Sequence, residues 1–260
     1  MGNFFIVATP IGNLGDISLR ALEILKSVDF ILCEDTRVTE KLLSHYDIKK
    51  PVLSYHQHSE LKRVKDILDL LKSGKNLALV SDAGTPGIAD PGNKLVSQII
   101  AVGQQAEGVK RGKGATPSSI LPSDGHWRRG GVREVPLSMP GDVNIIPIPG
   151  ACALTAAASV AGFNMDKFVF MGFPPAKNKR KKFFEKVISS EYPVIFYEST
   201  YKILKALEEL KNLSSGLEIA VFRELTKKFE TIYRGKIGDV LETLKTGETR
   251  GEFAVVVKNR

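Results

Sequence analysis

An α/β fold in two halves is what the sequence predicts, and two observations carry it. Short apolar runs of buried-strand type alternate with segments whose apolar residues recur at helical spacing. The composition is globular: 260 residues, 43% hydrophobic and 25% charged, enough for one large or two small domains. The net charge of +8 is uneven, +2 over residues 1–150 and +6 over residues 151–260, and a basic half suggests a polyanionic partner. We place the boundary between two α/β domains, 1–150 and 151–260, near Gly150.

Phe4–Ala8 reads as a buried strand followed by a Pro/Gly break. Asp16 and Ser18 both suit the N-cap of a helix carrying Leu19, Leu22 and Leu25. Phe30–Cys33 is the second strand. Val64, Ile67, Leu68 and Leu71 form one helical stripe, which Gly74 ends. Leu77–Val80 is the third strand, and Leu95, Val96, Ile99 and Ile100 mark a helix ending at Gly103. Val143–Ile148 is a further strand, and the alternation predicts a largely parallel sheet. The second half repeats the style. A small-residue helix covers Ala153–Ala161, and strands fall at Lys167–Gly172, Val194–Tyr197, Leu217–Phe222, Phe229–Tyr233 and Phe253–Val257. Helices fit around 177–189, 203–213 and 237–245.

Residues 104–142 break the pattern, with seven glycines, four prolines and no periodicity. They read as an insertion, because excising them leaves an ordinary helix-to-strand connection. Within it, Trp127 offers a stacking ring, and Arg128, Arg129 and Arg133 offer charge to a polyanion.

Several function classes drop out. Cys33 and Cys152 allow neither a disulfide framework nor zinc-type spacing; they read as packing residues in a reduced, cytoplasmic setting, and no metal cluster is expected. No apolar run reaches membrane-spanning length, and the N-terminus lacks the basic flank of a signal peptide. The glycine fingerprint for dinucleotides and the Gly-Lys-Ser/Thr phosphate loop are both missing.

What remains is a set of polar Gly/Pro loops after strands: Thr9-Pro10-Ile11-Gly12-Asn13, Glu34-Asp35-Thr36-Arg37, Ser81 to Gly92, and Pro149-Gly150-Ala151-Cys152-Ala153. Open parallel sheets bind ligands beyond the carboxyl ends of their strands, so four such loops predict one shared site. A basic run, Lys177, Lys179, Arg180, Lys181 and Lys182, opens a predicted helix against its dipole. That placement suggests contact with a phosphate backbone.

These segments resemble a known family. Val7 to Ile17, Cys33 to Arg37, Ser54-Tyr55-His56-Gln57-His58, Ser81 to Gly92, Ile148 to Ala153, Phe196 to Ser199, Arg223 to Lys227 and Gly251-Glu252-Phe253 are similar to bacterial 16S rRNA cytidine 2′-O-methyltransferases. Those enzymes are class III S-adenosylmethionine (AdoMet) methyltransferases of the tetrapyrrole methylase type. The resemblance implies two α/β domains with AdoMet in the cleft between them, a homodimer, and 16S rRNA of the 30S decoding region as substrate. It implies that Pro10, Asp82, Ala83, Gly84, Thr85, Ile88, Ala151, Cys152 and Ala153 line the cofactor pocket. The end of the Val194 strand and the Arg223 segment close it from the second domain. Arg37, Lys202 and Arg223 join the basic run as expected RNA contacts. The chain departs from the family pattern in its insertion and in Tyr201-Lys202, where relatives often read His-Arg and gain a bidentate fork. Many relatives also continue past the position of Arg260 into a helical tail.

Methyl transfer from a sulfonium is an in-line displacement, and a ribose hydroxyl needs a base or a cation beside it. The candidates are Glu34, Asp35, His56, Glu198 and Lys227. Glu34 and Asp35 read equally well as caps or as ion-pair partners of Arg37, His56 as a structural histidine, and Arg223 with Glu224 as an ion pair joining the last strands. Two other functions stay open: a precorrin-type tetrapyrrole methylase, and a non-catalytic AdoMet- or RNA-binding relative disabled by the insertion.

Overall fold

The computed structural model describes residues 1–55, 61–90, 92–106 and 143–259. The first half contains β1 (Asn3–Val7), α1 (Leu19–Ser27), β2 (Phe30–Cys33), α2 (Thr36–His45), β3 (Val52–Ser54), α3 (Leu61–Lys72), β4 (Leu77–Leu79), α4 (Gly92–Ala106) and β5 (Asn144–Ile148). The second contains α5 (Ala153–Ser159), β6 (Val169–Phe170), α6 (Arg180–Ser189), β7 (Val194–Ser199), α7 (Ile203–Leu213), β8 (Glu218–Arg223), β9 (Thr231–Lys236), α8 (Ile237–Thr246) and β10 (Glu252–Lys258).

β1 to β5 form one sheet in the order β3-β2-β4-β1-β5, and every pair is parallel. A parallel sheet is buried on both faces, and successive side chains of a strand point to opposite faces. In β1, Phe5 and Val7 pack with Leu25 of α1 and Leu43 of α2. Phe4 packs on the other face with Leu71 of α3 and Leu95 of α4. That double burial is why the strand reads as an unbroken apolar run.

The second sheet runs β6-β7-β10-β8-β9. Only β6 and β7 are parallel; the other three pairs are antiparallel. This corrects the expectation that the second half repeats the first. The link from β8 to β9 is too short for a helical crossover, which a parallel neighbour requires. One face of this sheet packs on α6, α7 and α8 through Phe184, Leu207 and Leu241. The other carries Ile195, Ala220, Phe222 and Val256 against Ala157 of α5.

Several boundaries differ from the sequence reading. Ser18, not Asp16, caps α1, its Oγ accepting from the Ala21 N–H, while Asp16 closes a 3₁₀ turn. α4 runs through Gly103 to Ala106, since one glycine inside a helix costs only about 1 kcal/mol. α2 was not expected, because only Thr39 and Leu43 of its ten residues are buried. β3 has three residues and β6 only two, too few to show a period. α6 starts at Arg180, after Lys179 in a left-handed conformation (φ 67°), so Lys177 and Lys179 precede the helix. Residues 107–142 lie outside the described residues, as do His56 and His58, and with them Trp127, Arg128, Arg129 and Arg133.

Candidate active site

The four polar loops meet. Ile11 after β1, Glu34 after β2, residues 81–85 and 88–90 after β4, and Cys152 and Ala153 after β5 line one cavity of about 350 Å³. Its opposite wall comes from the second sheet. Phe173 follows β6, Tyr197, Glu198 and Ser199 end β7, Phe222 lies near the end of β8 with Leu225 and Lys227 after it, and Glu252, Phe253 and Ala254 begin β10. The volume is of the order found for small-ligand sites.

The loops are bonded to one another. Thr9 and Gly84 exchange backbone hydrogen bonds of 2.9 and 3.1 Å. Thr85 Oγ1 donates to the Ala151 carbonyl (3.1 Å), and Asp82 accepts from the Asp35 N–H (3.1 Å). The Asp90 carboxylate takes the N–H groups of Gly87 and Gly92 at 2.8 and 2.7 Å. Across the cleft, Asn13 N–H donates to Thr226 Oγ1 (3.2 Å). Gly12 sits so close to that loop that a Cβ would stand 2.4 Å from Lys227 Cγ. Ala89, Glu224 and Thr226, at φ 64°, 52° and 66°, hold left-handed conformations in the same loops. Such strain, about 1–3 kcal/mol each, persists where surrounding contacts impose it.

Lys227 Nζ bridges Glu224 (2.9 Å) and Glu252 (3.0 Å). Burial opposes its charge, but the two carboxylates outweigh burial and raise its pKa. Burial likewise opposes charge on Glu224, yet the Glu252 N–H and Lys227 hold it below the usual carboxylate range. Lys227 is therefore a fixed cation and not a base. Tyr197 is pushed well up by burial, with the Cys152 thiol beside it.

Three of the five candidates for base or cation are held by partners of their own, Lys227 being the first. The second is Asp35, which caps α2 through the Arg37 N–H (2.9 Å) and chelates the Arg37 guanidinium at 3.0 and 2.7 Å. These bonds hold its carboxyl at about 2. A carboxyl lowered on folding stabilises the fold above its ordinary pKa and loses that contribution as pH falls through the lowered value. Asp35→Ala accordingly melts below wild type at neutral pH, and the gap narrows as pH falls from 3.8 towards 2, read by thermal melts across that range. The third is Glu198, buried, accepting from Arg180 (3.3 Å) and from the Ser199 N–H (2.9 Å). His56 lies outside the described residues, and Glu34 borders both the main cavity and a shallower pocket with Asp35, Thr36, Arg37, Ser54 and Asp82.

Of the expected cofactor residues, Asp82, Ala83, Gly84, Thr85, Ile88, Cys152 and Ala153 line the cavity. Pro10 is buried outside its wall, and Ala151 serves through its carbonyl. Two expected RNA contacts are corrected. Arg180 is 5% exposed and paired with Glu198 and Glu209; Arg223 is 7% exposed and donates to the carbonyls of Arg250 and Phe229. Arg223 is thus not paired with Glu224, whose partner is Lys227. Lys177, Lys179, Lys181 and Lys182 are exposed, Lys202 half-buried, and Arg37 exposed on its pair with Asp35. The sequence reading missed Phe173, Phe222 and Glu252. Gly172-Phe173-Pro174-Pro175 repeats the Gly/Pro loop signal of the first half, and that signal could have found Phe173.

The family described as Tetrapyrrole (Corrin/Porphyrin) Methylases matches residues 3–109 and 137–241. The chain belongs to the tetrapyrrole methylase family. Its relatives within that family include the ribosomal RNA small subunit methyltransferase I of Thermotoga maritima, 36% identical over 260 residues and covering 100% of both chains. The Haemophilus influenzae enzyme of the same name is 39% identical over 263 residues, covering 100% of this chain and 79% of that one. Among solved structures, the cobalt precorrin-4 methyltransferase CbiF aligns with a TM-score of 0.61 at 17% identity, covering 98% of this chain and 94% of that one. Diphthine synthase aligns at 0.65 and 13%, covering 100% and 90%. Alignments over nearly the whole of each chain show that these two structures share the fold. Among the described residues, no helix is long and apolar enough to cross a membrane.

Proposed function

We propose that the chain transfers a methyl group from AdoMet to a ribose 2′-oxygen of small-subunit ribosomal RNA, at a cytidine of the decoding region, acting as a cytoplasmic homodimer on the 30S particle. The observation that carries this reading is the meeting of four loops and a second sheet on one cavity, in a chain 36% identical end to end to a ribosomal RNA small subunit methyltransferase I. The cleft lies between domains 1–150 and 151–260 in this reading.

The residues present suit AdoMet. Glu34, Asp82, Asp90 and Glu252 line the cavity and complement a ligand bearing sulfonium and ammonium charges. Tyr197 and Phe222 supply ring surface for a nucleobase, and Gly84 leaves space that a Cβ would take. When bound, AdoMet supplies a methyl group already activated by positive charge. The protein then has to orient the acceptor oxygen and exclude water, which alone accounts for much of such a rate enhancement. Lys227, pinned by two carboxylates, holds positive charge at the wall. We assign Glu34 as acceptor of the hydroxyl proton, because it borders both the cavity and the pocket beside it.

Incubating the protein and labelled AdoMet with 30S particles tests the reading. Label enters 16S rRNA at a cytidine and is recovered after alkaline hydrolysis in an uncleaved dinucleotide, since a methylated 2′-oxygen cannot attack the neighbouring phosphate. Label on a tetrapyrrole precursor and none on 30S particles replaces the reading with a precorrin-type methylase.

A further inference from the structure

Large apolar side chains scattered singly over a surface carry no message. Here the exposed rings are not scattered. Among the described residues, the aromatic side chains in the exposed large-hydrophobic class are Phe173 (55%), Tyr201 (94%) and Phe229 (66%). Phe173 follows β6, Tyr201 follows β7 and Phe229 follows β8. β6 is parallel to β7, and β7 and β8 are each antiparallel to β10, so β6, β7 and β8 point the same way. All three rings therefore stand at one edge of the second sheet. It is the edge from which Tyr197, Ser199 and Leu225 line the cavity, and Phe173 lines it too.

Each ring shares its segment with a lysine. Lys228 Nζ lies 5.5 Å from the centre of the Phe229 ring. Lys202 follows Tyr201, and exposed Lys177 follows Phe173 by four residues. The mounts are firm. The Gly172 carbonyl accepts from the Tyr197 N–H at 2.9 Å, and the Phe173 ring meets Tyr197 edge-on at 5.5 Å between centroids. On the other side of Phe173, the Pro175 carbonyl accepts from Arg180 (3.4 Å). Phe229 is held by its own carbonyl, which takes the Arg223 guanidinium at 3.0 Å. Exposed rings with lysines in the same segments are what unpaired nucleic acid uses, bases stacking on rings while phosphates meet lysines.

We propose that Phe173, Tyr201 and Phe229 form a stacking rim that takes successive unpaired bases of the RNA and leads the target nucleotide into the cavity. The substrate is then single-stranded at and around the methylated residue, and duplex RNA is excluded. This inference rests on the RNA reading above for its substrate class, but binding alone tests it.

The test is fluorescence anisotropy of the full chain with a labelled single-stranded ribo-oligonucleotide of decoding-region sequence, and with the same strand annealed to its complement. The wild type binds the single strand at least about tenfold more tightly than the duplex. Phe173→Leu, Tyr201→Leu and Phe229→Leu each weaken single-strand binding by about fivefold or more, leaving duplex binding unchanged. Phe173→Trp and Phe229→Tyr restore it to within about twofold, which a merely structural loss of packing would not allow. Leucine variants that bind like wild type, tryptophan that fails to rescue, or equal binding of duplex and single strand overturn the proposal. So does a change of oligomeric state in the leucine variants by light scattering, which makes the rim a contact between copies of the chain. If 30S particles are not methylated while ring-dependent single-strand binding persists, the methylation reading falls and this one stands.

Discussion

Replacing Arg180 with methionine lowers the unfolding free energy by about 3 kcal/mol or more, read from urea denaturation, although Arg180 sits in a run that looks like a solvated basic surface. Its side chain is 6% exposed and that of Glu198 is 2% exposed. The guanidinium reaches Glu198 at 3.3 Å, Glu209 at 2.7 Å and the Pro175 carbonyl, and stands 5.0 Å from the centre of the Phe184 ring. Without it, a buried carboxylate keeps, among the described residues, the N–H and hydroxyl of Ser199 as partners. Leaving one buried charge uncompensated is the expensive outcome, whereas exchanging the whole pair for apolar side chains is often neutral. The double variant Arg180→Met/Glu198→Leu therefore recovers most of the loss. A double variant as unstable as the single one would show that the pair is not the energetic unit.

Gly84→Val abolishes measurable AdoMet binding by calorimetry, or weakens it more than about tenfold, while the chain still folds with a melting temperature lower by a few degrees. Gly84 has φ +82°, which costs an L-residue about 1–2 kcal/mol. A Cβ there would stand 3.1 Å from Ile11 Cγ2 and 3.6 Å from the Ala151 carbonyl, so three of the four loops feel it. Gly84 also exchanges both bridge hydrogen bonds with Thr9. The valine branches push the loops apart at the cavity wall. Wild-type affinity in this variant would mean that the ligand does not sit among these loops.

Much of the first half was legible because parallel strands are buried on both faces. Phe30–Cys33 and the stripe Val64, Ile67, Leu68 and Leu71 stand where their apolar patterns put them. α2 escaped because its start is a polar motif: Asp35 is its N-cap, and Thr36 and Arg37 of the polar loop open the helix. Arg180 escaped for the opposite reason. A charge run looks uniform, yet Arg180, Phe183, Phe184 and Val187 fall at i, i+3, i+4 and i+7 and are all buried. Read as a stripe rather than a run, that spacing already places the arginine inward.

The site divides in the same way. The polar Gly/Pro loops after β1, β2, β4 and β5 are local signals, and parallel topology alone brings them to one edge, so the sequence by itself determined the first wall of the cavity. The second wall is a different matter. Whether Phe173, Tyr197, Phe222 and Glu252 share a cavity depends on β10 inserting between β7 and β8, a pairing of residues far apart in the chain. Strand direction and order are settled by which edges find partners, and no local pattern encodes that. Likewise, only the packed structure turns Lys227 into a fixed cation between Glu224 and Glu252, because a lysine's charge state depends on what burial and neighbours do to it together.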